Sequence, residues 1–312
     1  MPQIITERNP AMKALSHTDI TGKLTPVEID RMIATELRAE NFIRENCPRK
    51  TDQRGEAYRV NTRTARPAAE AIADTAGFTD VESTFAAQRS YPYKTLGVRL
   101  VVTRKAQAEG MGLVDLMATE IEEGAQSLRQ LEETLFLDGT VATPTQYDGL
   151  NIILDSEDYR TDMGTDGAAL TAAKLDEALD DTFDLPHNAG AALIMNYRTR
   201  REISALLSAK QRFNDQTVDV RGGWRVTAYD GIPMFATERE SITRTQGTAS
   251  TASNIYIVNW AECFYGVLTE LQTYMLAQVT SQYMAAEVIE DLALVVRNRK
   301  RCRIVRGIIP PA

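Results

Sequence analysis

LVDLMATEIEEGAQSLRQLEETLFL, residues 113–137, is the stretch from which the rest of the chain can be read. Leu113, Leu116, Met117, Ile121, Leu128, Leu131 and Leu135 recur at steps of three and four, the spacing that lines up one face of a helix. Gly139 follows as the stop. At a rise of about 1.5 Å per residue the segment spans roughly 37 Å, long for a globular helix and suited to a spine on which sheets and partners pack. The carboxylate pairs Glu122-Glu123 and Glu132-Glu133 on this helix, and Asp180-Asp181 on a later one, point about 100° apart within each pair. They read as solvated faces rather than acid/base dyads.

Upstream of the spine the pattern weakens. Residues 1–24 are polar and punctuated by Asn9-Pro10 and Thr21-Gly22, which suggests a loose arm. Thr25-Pro26-Val27-Glu28 then combines an N-cap, a proline at the first helical position and a glutamate three after the cap. Ile29, Ile33 and Leu37 continue it as an amphipathic helix over 25–46, ended by Pro48. From Arg54 to Ala87, Tyr58, Val60, Thr62 and Thr64 alternate and small residues follow, so few side chains could anchor a core. This reads as a two-stranded excursion that leaves the main body and returns through Tyr91, Tyr93 and Thr95 to Val98, Leu100 and Val102. A long arm without a core of its own needs a partner surface, which points toward oligomerisation.

Downstream of Gly149 the signals are those of an α/β region. A turn-rich loop (Asp162, Gly164, Asp166, Gly167) precedes a helix capped by Thr171 that carries Leu175, Leu179 and Phe183 and ends at Pro186. Gly190 to Met195 is a short buried strand, and Asn196 caps a helix carrying Ile203, Leu206 and Leu207. Trp224, Val226 and Ala228 alternate into the Asp230-Gly231 turn and return through Ile232, Met234 and Ala236 as a hairpin. Thr245 to Asn254 is a polar loop, Ile255 to Val258 a strand, and the chain closes with Val288 to Val296, a basic turn and Ile304 to Ile309.

The bulk numbers bound the function classes. The 312 residues, 43% hydrophobic and 25% charged, describe an ordinary folded chain large enough for two subdomains. A net charge of −8 argues against a groove-reading nucleic-acid binder. The excess of arginine over lysine fits either GC-rich coding or an interface-rich surface. Three scattered cysteines, Cys47, Cys263 and Cys302, imply a reduced, intracellular setting. Residues 1–16 lack a signal peptide's apolar core, and no apolar run approaches a membrane span.

Chemistry is sparse. The two histidines, His17 and His187, fall in the arm and after Pro186 at a helix end, and neither belongs to a metal or catalytic motif. Gly110-Met111-Gly112 lacks the third glycine of a dinucleotide loop, and neither a phosphate loop nor a nucleophile elbow occurs. Catalytic, cofactor and metal residues are therefore expected to be none. Arg297, Arg299, Lys300, Arg301, Arg303 and Arg306 form a basic run that reads as a solvated turn, an inter-subunit contact or a loose attraction for nucleic acid.

The order of these elements resembles the Hong Kong 97-like major capsid protein family of tailed bacteriophages. YPYKTLGVRLVVT (91–103) is similar to the strand entering that family's spine domain, and LEETLFLDGT (131–140) with YDGL (147–150) to its spine end and following turn. AALIMNYRTRREISAL (191–206) resembles its strand-to-helix segment. GGWRVTAYDGIPMFATE (222–238) resembles its "G-x-P-V" hairpin. IYIVNWAECFYGVL (255–268) resembles its "φφφGDφ" strand, with Asn259 where Gly-Asp is commoner, and VIEDLALVVRNRKRCRIVRGI (288–308) its closing pair of strands.

The resemblance covers residues 55–308 and implies an α+β fold: an N-arm (1–49), an extended β-hairpin E-loop (50–90), a peripheral P-domain with a long spine helix (91–142 and 288–312) and an α/β axial A-domain (143–287). It implies a virion shell subunit that assembles with itself into hexamers and pentamers of an icosahedral capsid around double-stranded DNA. Assembly in the host cytoplasm is implied, with portal, scaffold and cement proteins as partners, non-specific contact with packaged DNA, and no membrane or cofactor. Arg54, Arg59, Arg63, Arg66, Arg299, Arg301 and Arg303 are the expected inter-subunit contacts. The family's archetype cross-links through an E-loop lysine, yet no lysine lies between Lys50 and Lys94. Non-covalent contacts are therefore expected to hold the shell. The N-terminal segment is too short for a fused scaffolding domain, implying a separate scaffold or none. Two rivals are an encapsulin-like compartment enclosing an enzyme, with the 25–46 helix holding a cargo peptide, and an enzyme that uses carboxylates and arginines alone, which a perturbed carboxylate in an apolar pocket would favour.

Overall fold

The computed structural model describes residues 42–51, 53–71, 84–85, 88–110, 115–182, 190–210, 217–220, 224–276 and 282–310. The expected arm, most of the 25–46 helix, Ala73, Ala76, Gly77, Gly112, Leu113, Phe183, Pro186 and both histidines lie outside the described residues.

In chain order the first half comprises α1 (Phe42–Asn46), β1 (Arg49–Lys50), β2 (Ala57–Val60), β3 (Arg63–Ala65), β4 (Thr84–Phe85), β5 (Arg89–Pro92), β6 (Lys94–Thr103), α2 (Arg104–Gly110), the spine α3 (Leu116–Asp138) and α4 (Leu150–Ile153). The second half holds β7 (Arg160–Asp162), β8 (Ala168–Ala169), α5 (Ala172–Asp180), β9 (Ala191–Met195), α6 (Tyr197–Lys210), β10 (Thr217–Val220), β11 (Trp224–Tyr229), β12 (Ile232–Ala236), β13 (Arg244–Gln246), β14 (Ala249–Asn259), β15 (Cys263–Met275), β16 (Tyr283–Val296) and β17 (Arg303–Ile309).

The spine begins at Leu116 because the Asp115 side chain caps it, accepting from the Ala118 N–H at 3.2 Å. It lies on a four-stranded sheet ordered β1-β15-β16-β6. Strand alternation turns Leu96, Val98, Leu100 and Val102 of β6 toward the helix, while Thr95, Gly97, Arg99 and Val101 face outward. Gly124 marks the closest approach: a Cβ there would lie 2.8 Å from Leu100 Cδ1. Gly139 ends the helix for a reason other than a left-handed turn, its φ being −58°. Its amide and carbonyl are gripped by the Leu135 carbonyl and the Gly149 N–H, and a Cβ would meet the Tyr147 carbonyl oxygen at 2.3 Å. The two glycines of LDGT and YDGL thus let two backbones touch.

The larger sheet runs β10-β11-β12-β9-β14-β17-β7, with β13 paired to β14 and β8 to β17. β9, buried at every residue, sits at its centre, parallel to β12 and antiparallel to β14. Helices α5 and α6 form where Thr171 and Asn196 cap them, and Leu175, Leu179 and Ile203 enter the core with Leu193, Met234 and Ile257. Asp230 at φ 48° and Gly231 at φ 77° make the expected tight hairpin turn.

Three expectations change. Thr245 to Asn254 is a pair of polar strands, β13 and the start of β14, turned at Gly247 (φ 56°) and tied by Asp166, which accepts from the Thr248 N–H at 2.9 Å. The closing strands do not pair with each other: β16 lies between β15 and β6, whereas β17 lies between β14 and β7. A division at 287/288 therefore cuts through β16, and Cys263–Met275 belongs with the spine sheet. Asn259 turns the chain from one sheet to the other, its side chain accepting from the Ala261 N–H at 3.0 Å.

Candidate assembly surfaces and the buried charge cluster

Two parts of the molecule bear on function, a cluster of charges at the root of the excursion and the excursion itself. The cluster starts from the spine. Leu128, Glu132 and Leu135 are spaced i, i+4, i+7, so Glu132 lies on the buried stripe that the leucines define. The expectation of a solvated Glu132-Glu133 pair is wrong: the two residues are 0% and 1% exposed, while Leu131, assigned to the stripe, is 43% exposed. The charge is answered from far along the chain. Arg44 Nη1 lies 2.7 Å from Glu132 Oε2 and 3.0 Å from Glu290 Oε2, and Arg49 Nη1 lies 2.5 Å from Glu132 Oε1, with its Nη2 on Glu290 Oε1. Glu133 Oε1 accepts from the Ile43 N–H at 3.1 Å.

Two arginines and two glutamates give a neutral unit, the condition under which buried charges are tolerated. Arg49 also lies over the Tyr265 ring at 5.4 Å. The Tyr265 and Tyr147 hydroxyls donate to the Glu132 carbonyl at 3.4 and 3.3 Å. Burial holds both phenols well above their ordinary ionisation range, so they remain donors. The cluster fastens residues 42–50 to the spine and to β16. The spacing of Glu132 between Leu128 and Leu135 was the available sequence signal.

From this root the excursion rises as β2 paired with β5, then β3 with β4. Its base is anchored. Tyr58 meets Phe264 edge-on at 5.5 Å, Val60 and Tyr91 are buried, and the Tyr91 hydroxyl donates to the Val296 carbonyl at 3.0 Å. Lys50 lies over the Phe264 ring at 3.7 Å, its pKa lowered by burial and by Arg297. Beyond Val60 the burial ends: residues 63–71 are all exposed, and Phe85 is 61% exposed. Arg54, Arg59, Arg63 and Arg66 all point to solvent, and among the described residues none pairs with a carboxylate. Arg63 stacks on Phe85 at 5.2 Å.

The C-terminal basic run differs from its sequence reading, because much of it is paired inside the chain. Arg301 meets Glu262 at 3.0 Å. Arg303, 9% exposed, reaches Asp181 at 2.7 Å and the Thr161 hydroxyl at 2.8 Å, and Arg306 meets Asp155 and the Asn151 carbonyl. Arg299 sits in the single turn Arg299–Arg301 that Asn298 caps. The seven candidate arginines therefore separate into four on the excursion and three at the crossing between the sheets.

Other chemistry is limited. Cys47, Cys263 and Cys302 are all buried and reduced; burial raises Cys263 well above its ordinary range and Cys302 to about 12. Among the described residues no group of three His, Cys, Asp or Glu is placed to hold a metal, and no helix is long and apolar enough to cross a membrane. A groove of about 460 Å³ lies between Leu170 and α6, lined also by Ala169, Arg198, Arg201, Glu202, Ala205 and Leu206. Burial raises Glu202 there and Arg198 partly offsets it, but no nucleophile or second acid lines the groove.

A sequence profile of the phage capsid family matches residues 21–299. No curated protein matches the chain in sequence. Among solved structures, the chain is similar to the capsid of Cyanophage A-1(L), at TM-score 0.71 and 14% identity over 95% of this chain and all of that one. It is similar also to the capsid of a native GTA particle, at TM-score 0.70 and 12% identity over 96% of this chain and 100% of that one. The holo-SrpI encapsulin complex from Synechococcus elongatus PCC 7942 shares the fold at TM-score 0.67 and 10% identity, covering 96% of this chain and 97% of that one. These likenesses show the Hong Kong 97-like fold, and the profile, which spans most of the chain, shows the lineage: the chain belongs to the phage capsid family, as a major capsid protein.

Proposed function

We propose that copies of this chain close into hexamers and pentamers of an icosahedral shell around double-stranded DNA, assembled in the host cytoplasm and held by non-covalent contacts. The observation that carries this reading is the excursion, anchored at its root and exposed over residues 63–71 and at Phe85, in a chain of the phage capsid family. An arm of this kind gains stability from a neighbour's surface. Arg54, Arg59, Arg63 and Arg66 are the contacts it offers, and residues 50–90 act as the E-loop. The spine sheet serves as the peripheral domain and the larger sheet as the axial one, whose loops gather at the capsomer axes. Arg301 and Arg303 stiffen the junction between the two, a role their partners within the chain support, and Arg299 is a contact for a neighbouring subunit. The chain acts by assembly and not by catalysis. Portal and cement proteins are its expected partners in the particle, with a separate scaffold or none during assembly.

Electron microscopy of the purified protein across salt, pH and concentration tests this. Closed shells are expected, and a strictly monomeric species throughout overturns it. The likeness to the SrpI complex favours a second reading, a compartment around an enzyme cargo. Particle contents separate the two: nucleic acid supports the virion shell, and a captured cargo protein supports the compartment.

A further inference from the structure

We propose that Phe85, stacked under Arg63 on the outer half of the excursion, is the apolar anchor by which one copy of this chain holds the next. The inference rests on the shell reading above and names the contact that does the holding. Phe85 is the most exposed large apolar side chain among those described, at 61%. It lies opposite Arg63 in the ladder, and the guanidinium sits 5.2 Å from its ring. Aromatic residues and arginine are both enriched at the cores of protein interfaces, and here they stand together on an exposed strand pair.

The surroundings argue against a role within the chain. β3 is exposed at every residue and the ring lies opposite it, so among the described residues Phe85 closes no core of its own. A ring of this size left in water is unfavourable, and covering it is worth about 2 kcal/mol or more. The occupant is a second copy because the chain belongs to a shell-forming family and its excursion has no lysine for a covalent link. The holding must therefore come from surface contact. Arg54, Arg59 and Arg66, exposed on the same excursion, offer further polar contacts along its length.

The native thiols make a direct test available. All three cysteines are buried, so Phe85→Cys places one accessible thiol on the protein. Trace F85C co-assembled with excess wild-type chain is labelled with a maleimide, free and in shells. The thiol is expected to react at least about tenfold more slowly in shells; equal rates overturn the proposal. In parallel, Phe85→Ala is expected to raise the concentration needed for assembly by about tenfold or more, with Phe85→Trp restoring it and the melting temperature of unassembled subunits unchanged. An F85A chain that assembles like wild type overturns the anchor. If F85A assembles like wild type while a chain with Arg54, Arg59 and Arg66 replaced by alanine does not, the excursion docks through those arginines, and the shell reading stands without the anchor. Wild-type chain that never assembles overturns the shell reading itself.

Discussion

Glu290→Gln is the sharpest test of the charge cluster. The substitution keeps the shape of a side chain whose residue is 0% exposed but removes its charge. Arg44 and Arg49, whose side chains are 21% and 20% exposed, are then left sharing Glu132 alone. Removing one partner from a fully buried pair costs about 3–5 kcal/mol. The guanidiniums keep some access to water, which recovers part of this, so the expected loss is about 2–3 kcal/mol. At roughly 2 °C per kcal/mol for a chain of this size, the melting temperature of unassembled subunits falls by about 4–6 °C. The second variant decides the cause. Arg49→Met combined with Glu290→Gln removes one cation and one anion, leaving Arg44 on Glu132 as a neutral pair. It is expected to be more stable than the sum of its single variants by at least about 1.5 kcal/mol. Thermal unfolding by circular dichroism measures all of these. A loss under about 0.5 kcal/mol for E290Q, or strict additivity in the double variant, refutes the claim that the four charges act as one desolvated unit.

Other expectations follow from close contacts and burial. Gly149→Ala would put a Cβ 2.5 Å from the Leu135 carbonyl oxygen and 2.7 Å from Gly139 N, both backbone atoms that cannot swing away. A loss of about 3 kcal/mol is expected in urea unfolding, and an unchanged midpoint sinks the account of the LDGT and YDGL glycines. Gly231→Ala, at φ 77°, is expected to cost about 1 kcal/mol, read by thermal melting, because only glycine adopts that backbone without strain. Burial raises the Cys302 thiol from 9 to about 12, so the folded chain keeps a proton that the unfolded chain loses above pH 9. That contribution is complete below pH 9 and fades as the pH climbs toward 12. Cys302→Ala should flatten the fall in melting temperature over this window; an identical slope in both proteins counts against it.

Much of the fold was legible because its signals are local. The leucine spacing of the spine, Thr171 and Asn196 as caps, the Asp230-Gly231 turn and the alternation along β6 each involve residues a few positions apart. What escaped depends on partners distant in sequence. Arg49 reaches its two carboxylates across 83 and 241 residues, so nothing beside Glu132 announces that its charge is answered. Alternation shows which face of a strand is buried but not which strand lies beside it. That is why β16 and β17, adjacent in sequence, could be read as a pair though they lie in different sheets. The partners of the basic run are likewise distant in sequence, its carboxylates being supplied by Glu262, Asp181 and Asp155. The polar β13 and the polar start of β14 read as a loop because composition marks exposure and not backbone pairing.

The cluster and the exposed arm make sense together. Ordering a flexible arm on a partner costs about 1–2 kcal/mol per residue in backbone entropy, which can consume the gain from contact. Here the root is already fixed by Arg44 and Arg49 on their glutamates, by Tyr58 against Phe264 and by the Tyr91 hydroxyl on Val296. Three attachments of different chemistry set the direction in which the hairpin leaves the body. A neighbour therefore meets a hairpin whose base is already fixed, and preorganisation of this kind converts contact area into affinity. A buried ionic cluster adds little over an apolar core of equal volume as a source of stability. As a device that fixes one geometry it does more, because two forked guanidiniums and two carboxylates satisfy one another in few arrangements. The charge cluster at the root therefore sets how the exposed Phe85 ring, farther out on the same hairpin, is presented.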